Sequence, residues 1–166
     1  MAPERLPESA PSPPREPRSQ AASTTTMTEY VLPQHSNVFG GVFGGQIMAW
    51  VDLSAAICAQ RHAGRQAVTA YVDDLRFESP VHVGEVVRLI ARVTATFRTS
   101  MEISVVVTGE DTLTGRTWPC VRARTVFVAI GDDGKPTRVP PLLLEDDATR
   151  ESQAAGEARR AKRLAR

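Results

Sequence analysis

At 166 residues the chain is long enough for one domain with a full-sized core. Its formal net charge of +1 leaves no bulk field to draw in nucleic acid or an anionic membrane, so attraction to a polyanion must come from a local basic cluster. No apolar run approaches a membrane span, the opening MAPERLPESAPSPP holds no signal-peptide core, and Cys58 and Cys120 match no metal-ligand spacing. A cytoplasmic protein without a disulfide framework is expected.

Six of the twelve prolines fall by Pro17, in a stretch otherwise rich in Ser, Ala, Glu and Arg. Such a segment buries too little apolar surface to offset its ordering entropy. Residues 1–27 are therefore expected to form a disordered tail, with Met27 as an alternative start. Residues 29–32 are short and β-prone. They lead into His35-Ser-Asn-Val-Phe-Gly-Gly-Val-Phe-Gly-Gly45, a loop holding four of the eleven glycines. Residues 46–61 lack Gly and Pro and are rich in helix formers.

After Gly64 the period switches to two. Val87, Leu89, Ala91, Val93, Ala95 and Phe97 alternate with Arg88, Arg92, Thr94 and Thr96, as in a half-buried strand. Residues 68–78, 101–109 and 120–130 read as further strands, and Pro119 marks a strand start, bulge or edge. One long helix followed by long strands with short connections implies an antiparallel α+β domain. Residues 145–166 read as a solvated charged helix or tail, frayed around Gly156. Its run Arg159-Arg160-Ala161-Lys162-Arg163 is either a wet charged face or a contact to phosphate.

The helical segment is apolar nearly all round, so it should be buried within the sheet, yet Asp52 lies in its midst. An unpaired buried carboxylate is costly, so Asp52 must find donors, take up a proton or face a wet cleft. It either accepts core hydrogen bonds or serves as a general base or nucleophile. Gly44-Gly45 precede the helix, where free N–H groups and the positive dipole end point outward. Without side chains they let a carbonyl approach closely, as an oxyanion site requires, although a tight turn needs the same residues. Asn37 is equally open to a turn role.

Together these residues resemble the opening of the hotdog acyl-CoA thioesterases: Asn37-x-x-Gly40, then Phe43-Gly44-Gly45-x-x-Met48-x-Trp50-x-Asp52. The similarity runs on through Arg61-His62, Val68-Thr69-Ala70-x-Val72-Asp73, Phe77-x-x-Pro80, Val83-Gly84-Glu85, Thr99-Ser100-Met101-Glu102 and Phe127-Val128-Ala129. It reaches Gly134-Lys-Pro136 and Val139-Pro140, so a domain over residues 28–144 is implied. The nearest group is the bacterial short- and medium-chain enzymes with the brain acyl-CoA hydrolases.

The resemblance implies a hotdog fold, a curved antiparallel sheet around one long central helix, and hydrolysis of acyl-CoA to acid and CoA without metal or other cofactor. It further implies Asn37 and Asp52 as the functional pair, contributed by different subunits of a homodimer, with dimers gathered as a hexamer. Gly41-Val42 and Val51 depart mildly from the pattern. On this reading the Gly45 N–H polarises the thioester, Asp52 deprotonates water or attacks directly, and Asn37 positions water or carbonyl. Arg98, Thr99 and Ser100 are candidate contacts to the CoA phosphates.

Serine-hydrolase chemistry is disfavoured because no Gly-x-Ser-x-Gly elbow is present. His62 is expected to serve the helix end, and His35 and His82 to lie in loops. Two rival functions use the same fold. One is a non-catalytic acyl-CoA-binding module; the other is a dehydratase or hydratase, for which Pro80-Val-His-Val-Gly84 is a poor imitation of the required His setting.

Overall fold

The computed structural model describes residues 16–166. The chain runs α1 (Gln20–Ser23), β1 (Thr25–Tyr30), a 3-10 turn (Pro33–His35), α2 (Gly44–Ala63), β2 (Ala67–Phe77), β3 (Val86–Thr96), β4 (Ser100–Glu110), β5 (Thr117–Ala129) and α3 (Asp147–Leu164). All strand pairs are antiparallel, in the order β1-β3-β4-β5-β2. The sheet packs around α2, which touches every strand. This is the α+β hotdog arrangement.

The helix begins at Gly44, so the glycine pair opens it rather than preceding it. It ends at Gly64, whose left-handed conformation (φ 66°) lets its amide donate to the Gln60 carbonyl at 2.8 Å. Ile47, Trp50, Val51, Ser54, Ala55, Cys58, Ala59, His62 and Ala63 form the buried stripe, spaced by three and four residues as a one-sided helix demands. The sheet does not enclose the other side: Met48 is 47% and Leu53 51% exposed. The expectation of a fully buried helix fails there, because one sheet covers only one face.

In β3, Val87, Leu89, Ala91 and Val93 are buried and face α2. A register shift between Val93 and Ala95 then breaks the alternation. Such a bulge exchanges the faces that follow it. Ala95 pairs with Glu102 and turns to the opposite face of the sheet, where α3 lies. Pro119 lies beside another register shift, between Val107 and Thr108 of β4.

The tail expected over residues 1–27 is corrected from residue 16 onward; residues 1–15 lie outside the described residues. Met27 pairs with Leu89 in mid-strand, and Ser23 and Thr25 are buried. Polar bonds supply what composition does not advertise. The Arg18 guanidinium donates to the carbonyls of Arg61 (2.7 Å) and His62 (3.0 Å), capping the last turn of α2. The Gln20 amide donates to the Val93 carbonyl at 2.9 Å.

The C-terminal helix is likewise docked rather than frayed. Gly156 is buried against Ala95, and a Cβ there would collide with the Ala95 methyl. Arg159 forks onto Glu102, with Nε donating to Oε2 at 2.9 Å and Nη2 to Oε1 at 2.6 Å. Thr94 donates to Glu102 Oε1 at 2.9 Å, and Arg163 donates to Asp73 at 2.8 Å. Glu102 is 0% exposed. Its solvation is replaced by these donors, and losing one partner of such a pair costs about 3–5 kcal/mol.

Candidate active site

The segment between β1 and α2 is held at both ends. His35 accepts the Leu32 N–H on Nδ1 at 3.1 Å and sets its ring edge-on against Trp50, with centroids 5.0 Å apart. Its carbonyl accepts the Phe43 N–H at 2.8 Å. Within this frame the Asn37 N–H donates to the Gly41 carbonyl at 2.8 Å, and its Oδ1 accepts the Phe39 N–H at 2.9 Å. Gly40, at φ 78°, completes the turn by donating to the Asn37 carbonyl. The turn role open to Asn37 is therefore filled by its carbonyl oxygen. Its side-chain amide donates to no described group and stays available. Beside it Phe39 is 88% exposed.

Phe43 caps α2 through its carbonyl, which accepts from Gln46 (2.9 Å) and Ile47 (3.3 Å). The N–H groups of Gly44 and Gly45 donate to no described acceptor, as the first amides of a helix must. A Cβ at Gly45 would meet the exposed Phe43 ring, which would have to swing aside.

Asp52 is exposed on the uncovered side of α2, the wet-facing alternative among those open to it. The Thr69 hydroxyl donates to its Oδ1 at 2.5 Å. Thr69 reaches it because β2 shifts register against β5 between Thr69 and Tyr71, leaving Ala70 as the extra residue. A second shift, between Val72 and Asp74, releases Asp73 toward Arg163. Thr69 carried no sequence sign of this contact, since a bulge defeats alternation and only its place in Val68-Thr69-Ala70 hinted at a role.

Asp52 follows Trp50 by two residues, roughly 200° round the helix. The segment bearing Asn37 packs on the Trp50 side, whereas Asp52 faces Thr69 across the opposite, open side. Gly45, seven residues before Asp52, lies on nearly the same face, roughly 10 Å along the axis.

Arg98 and Thr99 form the β3–β4 turn, and Ser100 opens β4. Its backbone is pinned: Ser100 O accepts from Phe97 N–H (2.8 Å), Thr99 O from Ala129 N–H (3.0 Å) and Arg98 O from Val139 N–H (3.1 Å). No described group bonds the three side chains. Arg160 stacks over Phe97 at 5.1 Å, at the root of this turn. Arg159 and Arg163 of the basic run are occupied by Glu102 and Asp73, so the wet-face reading of the run is corrected for them.

His62 is fully buried, with Nε2 2.9 Å from the Pro140 carbonyl, and burial lowers its pKa. His82 lies beside Glu85 at 3.6 Å, but that carboxylate also accepts the His82 backbone N–H (2.7 Å), so the pair closes a turn. Among the described residues no group of three or more His, Cys, Asp and Glu is placed to hold a metal ion, and no helix is long and apolar enough to cross a membrane.

The Thioesterase superfamily model matches residues 39–116. Mouse acyl-coenzyme A thioesterase 11 is 36% identical over 134 residues, covering 81% of this chain and 23% of the relative. The chain thus spans about a quarter of the mouse protein's length. An acyl-CoA hydrolase from Staphylococcus aureus, solved with butyryl coenzyme A, coenzyme A and coenzyme A disulfide, is 33% identical. It superposes with a TM-score of 0.81, covering 89% of this chain and 90% of that one.

The chain belongs to the acyl-CoA thioesterase family.

Within that family, an apo hexameric acyl-CoA thioesterase superposes with a TM-score of 0.85 at 34% identity, covering 90% of this chain and 96% of that one. Further structures of the S. aureus hydrolase carry alanine in place of one Asp, one Asn and one Thr. In that chain the Asn lies 15 residues before the Asp and the Thr 17 after it, the intervals that separate Asn37, Asp52 and Thr69 here.

Proposed function

We propose that this protein hydrolyses acyl-CoA to a free carboxylic acid and CoA, with Asp52 as general base or nucleophile. The observation that carries this reading is the exposed Asp52 carboxylate held by the Thr69 hydroxyl on the open face of α2. The matching Asn, Asp and Thr intervals in the S. aureus hydrolase support it, as does the butyryl-CoA in that enzyme's structure. Asn37 supplies an amide to position water or carbonyl. The Gly45 N–H, flanked by that of Gly44, stabilises the oxyanion. Arg98, Thr99 and Ser100 offer unbonded side chains to the CoA phosphates.

The site is shared between two copies. An oxyanion donor stands roughly 3 Å from the oxygen and the nucleophile roughly 3 Å from the carbon. That span is short beside the separation of Gly45 from Asp52 in one chain. Asn37 also sits on the far side of α2 from Asp52. Both mismatches are resolved when Asn37 and Gly45 of one copy face Asp52 and Thr69 of another. A surface for that pairing exists: β2 is an edge strand with Val68, Tyr71, Val72 and Phe77 exposed, next to Met48 and Leu53. A homodimer, and a hexamer built as a trimer of dimers, is the assembly proposed. A cytoplasmic setting fits the two cysteines, both free and buried, with burial pushing each thiol up to about 11.

The test is thiol release from a panel of acyl-CoAs of increasing chain length. Turnover above the uncatalysed rate for at least one is expected. Saturable binding of every acyl-CoA without release would mark a binding module and overturn the enzymatic reading.

A further inference from the structure

On the face of the sheet that carries α3, a cavity of about 270 Å³ opens between the end of that helix and strands β2 and β5. Arg159, Lys162 and Arg163 line it from α3, Arg166 from just beyond that helix, and Arg124 from β5. Lys162 and Arg163 follow Arg159 by three and four residues, so these three helical cations share one face and repel one another. The carboxylates nearby are Asp73 and Asp74 on the wall and Glu102 behind Arg159. Counting side chains, five cations stand against three carboxylates, an excess of two positive charges.

That excess is not spread evenly. Arg159 is bound by Glu102 and Arg163 by Asp73, while Asp74 is divided between Arg76 (3.1 Å) and Arg124 (3.6 Å). Lys162 and Arg166 have no acidic partner among the described residues. The two bound guanidiniums are held in place by their carboxylates, with Arg163 also stacked on Tyr71 at 5.5 Å. Each keeps further N–H donors, since a guanidinium carries five. The cavity therefore has pre-oriented donors at its wall and uncompensated charge at its mouth, the combination that suits a doubly charged, multi-acceptor anion.

We propose that this cavity binds a phosphate monoester dianion. The ligand is either the ribose phosphate of the CoA substrate or the phosphate of a separate nucleotide.

The site can be tested by isothermal titration calorimetry of the full-length protein with adenosine 3′,5′-bisphosphate, and with adenosine as the phosphate-free control. The comparison is with the double variant Lys162→Ala/Arg166→Ala. Neither residue holds α3 to the sheet, so the variant keeps its melting temperature. Saturable binding of the bisphosphate, none of adenosine, and at least tenfold weaker binding in the variant are expected. The two sources are separated by comparing KM for an acyl-CoA and its dephospho analogue. A KM that rises on loss of the phosphate in wild type, but not in the variant, assigns the site to the substrate. Equal KM values with retained bisphosphate binding assign it to a separate nucleotide. Absence of saturable binding, or equal affinity in wild type and variant, overturns the proposal. Calorimetry reads binding without turnover, so failure here and failure of the hydrolase reading are distinguishable.

Discussion

The Thr69 hydroxyl and the Asp52 carboxylate meet at 2.5 Å, tying the start of the edge strand β2 to the open face of α2. Its donor uses one lone pair of Oδ1 and fixes the carboxyl plane, leaving Oδ2 free to meet water or a thioester carbon. On the proposed mechanism, replacing the carboxylate by an amide of equal size removes base and nucleophile together. Asp52→Asn is expected to lower kcat by on the order of 10²-fold or more with an unchanged melting temperature. Thr69→Ala is expected to cost about tenfold in kcat, and Thr69→Ser to restore most of it, because orientation and not charge is lost. Near-native turnover by folded Asp52→Asn, measured by thiol release, would reduce Asp52 to a structural residue.

A site divided between copies has a stoichiometric signature. Asn37→Ala and Asp52→Asn are each expected to be inactive alone. Mixed equally, unfolded and refolded, half of the dimers are hybrids with one intact site in two, so about a quarter of wild-type activity returns by random pairing. Size-exclusion chromatography of differently tagged chains establishes exchange. Zero recovery after proven exchange would mean that both residues act within one chain.

The segment before β1 is part of the fold, and its removal has a predictable cost. A chain beginning at Met27 loses α1, the buried Ser23 and Thr25, the Arg18 cap on α2 and the Gln20 bond to Val93. The three side-chain bonds to backbone carbonyls alone are worth ~3 kcal/mol together, and the melting temperature is expected to fall by roughly 10 °C or more. A thermal melt within about 2 °C of the full chain would show the segment to be dispensable.

Stability against pH should show two separate windows. Burial lowers the pKa of His62, helped by the charge of Arg18 and opposed by the Pro140 carbonyl. The unfolded chain therefore binds that proton more readily, and stability declines as pH falls below about 6.5. For Glu102, burial pushes the carboxyl up, but hydrogen bonds from Arg159 and Thr94 and the charges of Arg159 and Arg124 outweigh it and hold the group low. Its contribution is present above about pH 4.3 and is lost as pH falls further, through the folded value. Urea midpoints measured across this range should lose the upper window in His62→Gln while keeping the lower one. An unchanged profile between pH 5 and about 7 in that variant would remove His62 from the account.

How much of this was legible depended on whether a feature was local. The alternation from Val87 to Val93, the apolar helix and the Gly-rich loop each follow from short-range pattern, and each stands in the fold. The contacts of Thr69 and Glu102 do not, because both depend on bulges that break a period-two count. The docking of α3 hinges on Gly156, which in isolation looks like a helix breaker and in place is the one residue thin enough to lie on Ala95. Likewise only the end of β1 was legible, as the β-prone residues from 29 onward; its first four residues hid in a tail whose average composition outweighed the ladder.

On the shared-site proposal, the free edge of β2 makes concentration a determinant of catalysis. The strand that grips Asp52 through Thr69 is the strand left with unpaired amides and exposed Val68, Tyr71 and Val72. Dilution that strips away a neighbouring copy would leave that strand with pairing along one side only and let it fray from its outer margin inward. The grip on the carboxylate would slacken at the same moment as the opposing amide departs, so activity per milligram would decline steeply on dilution while most of the sheet stayed folded.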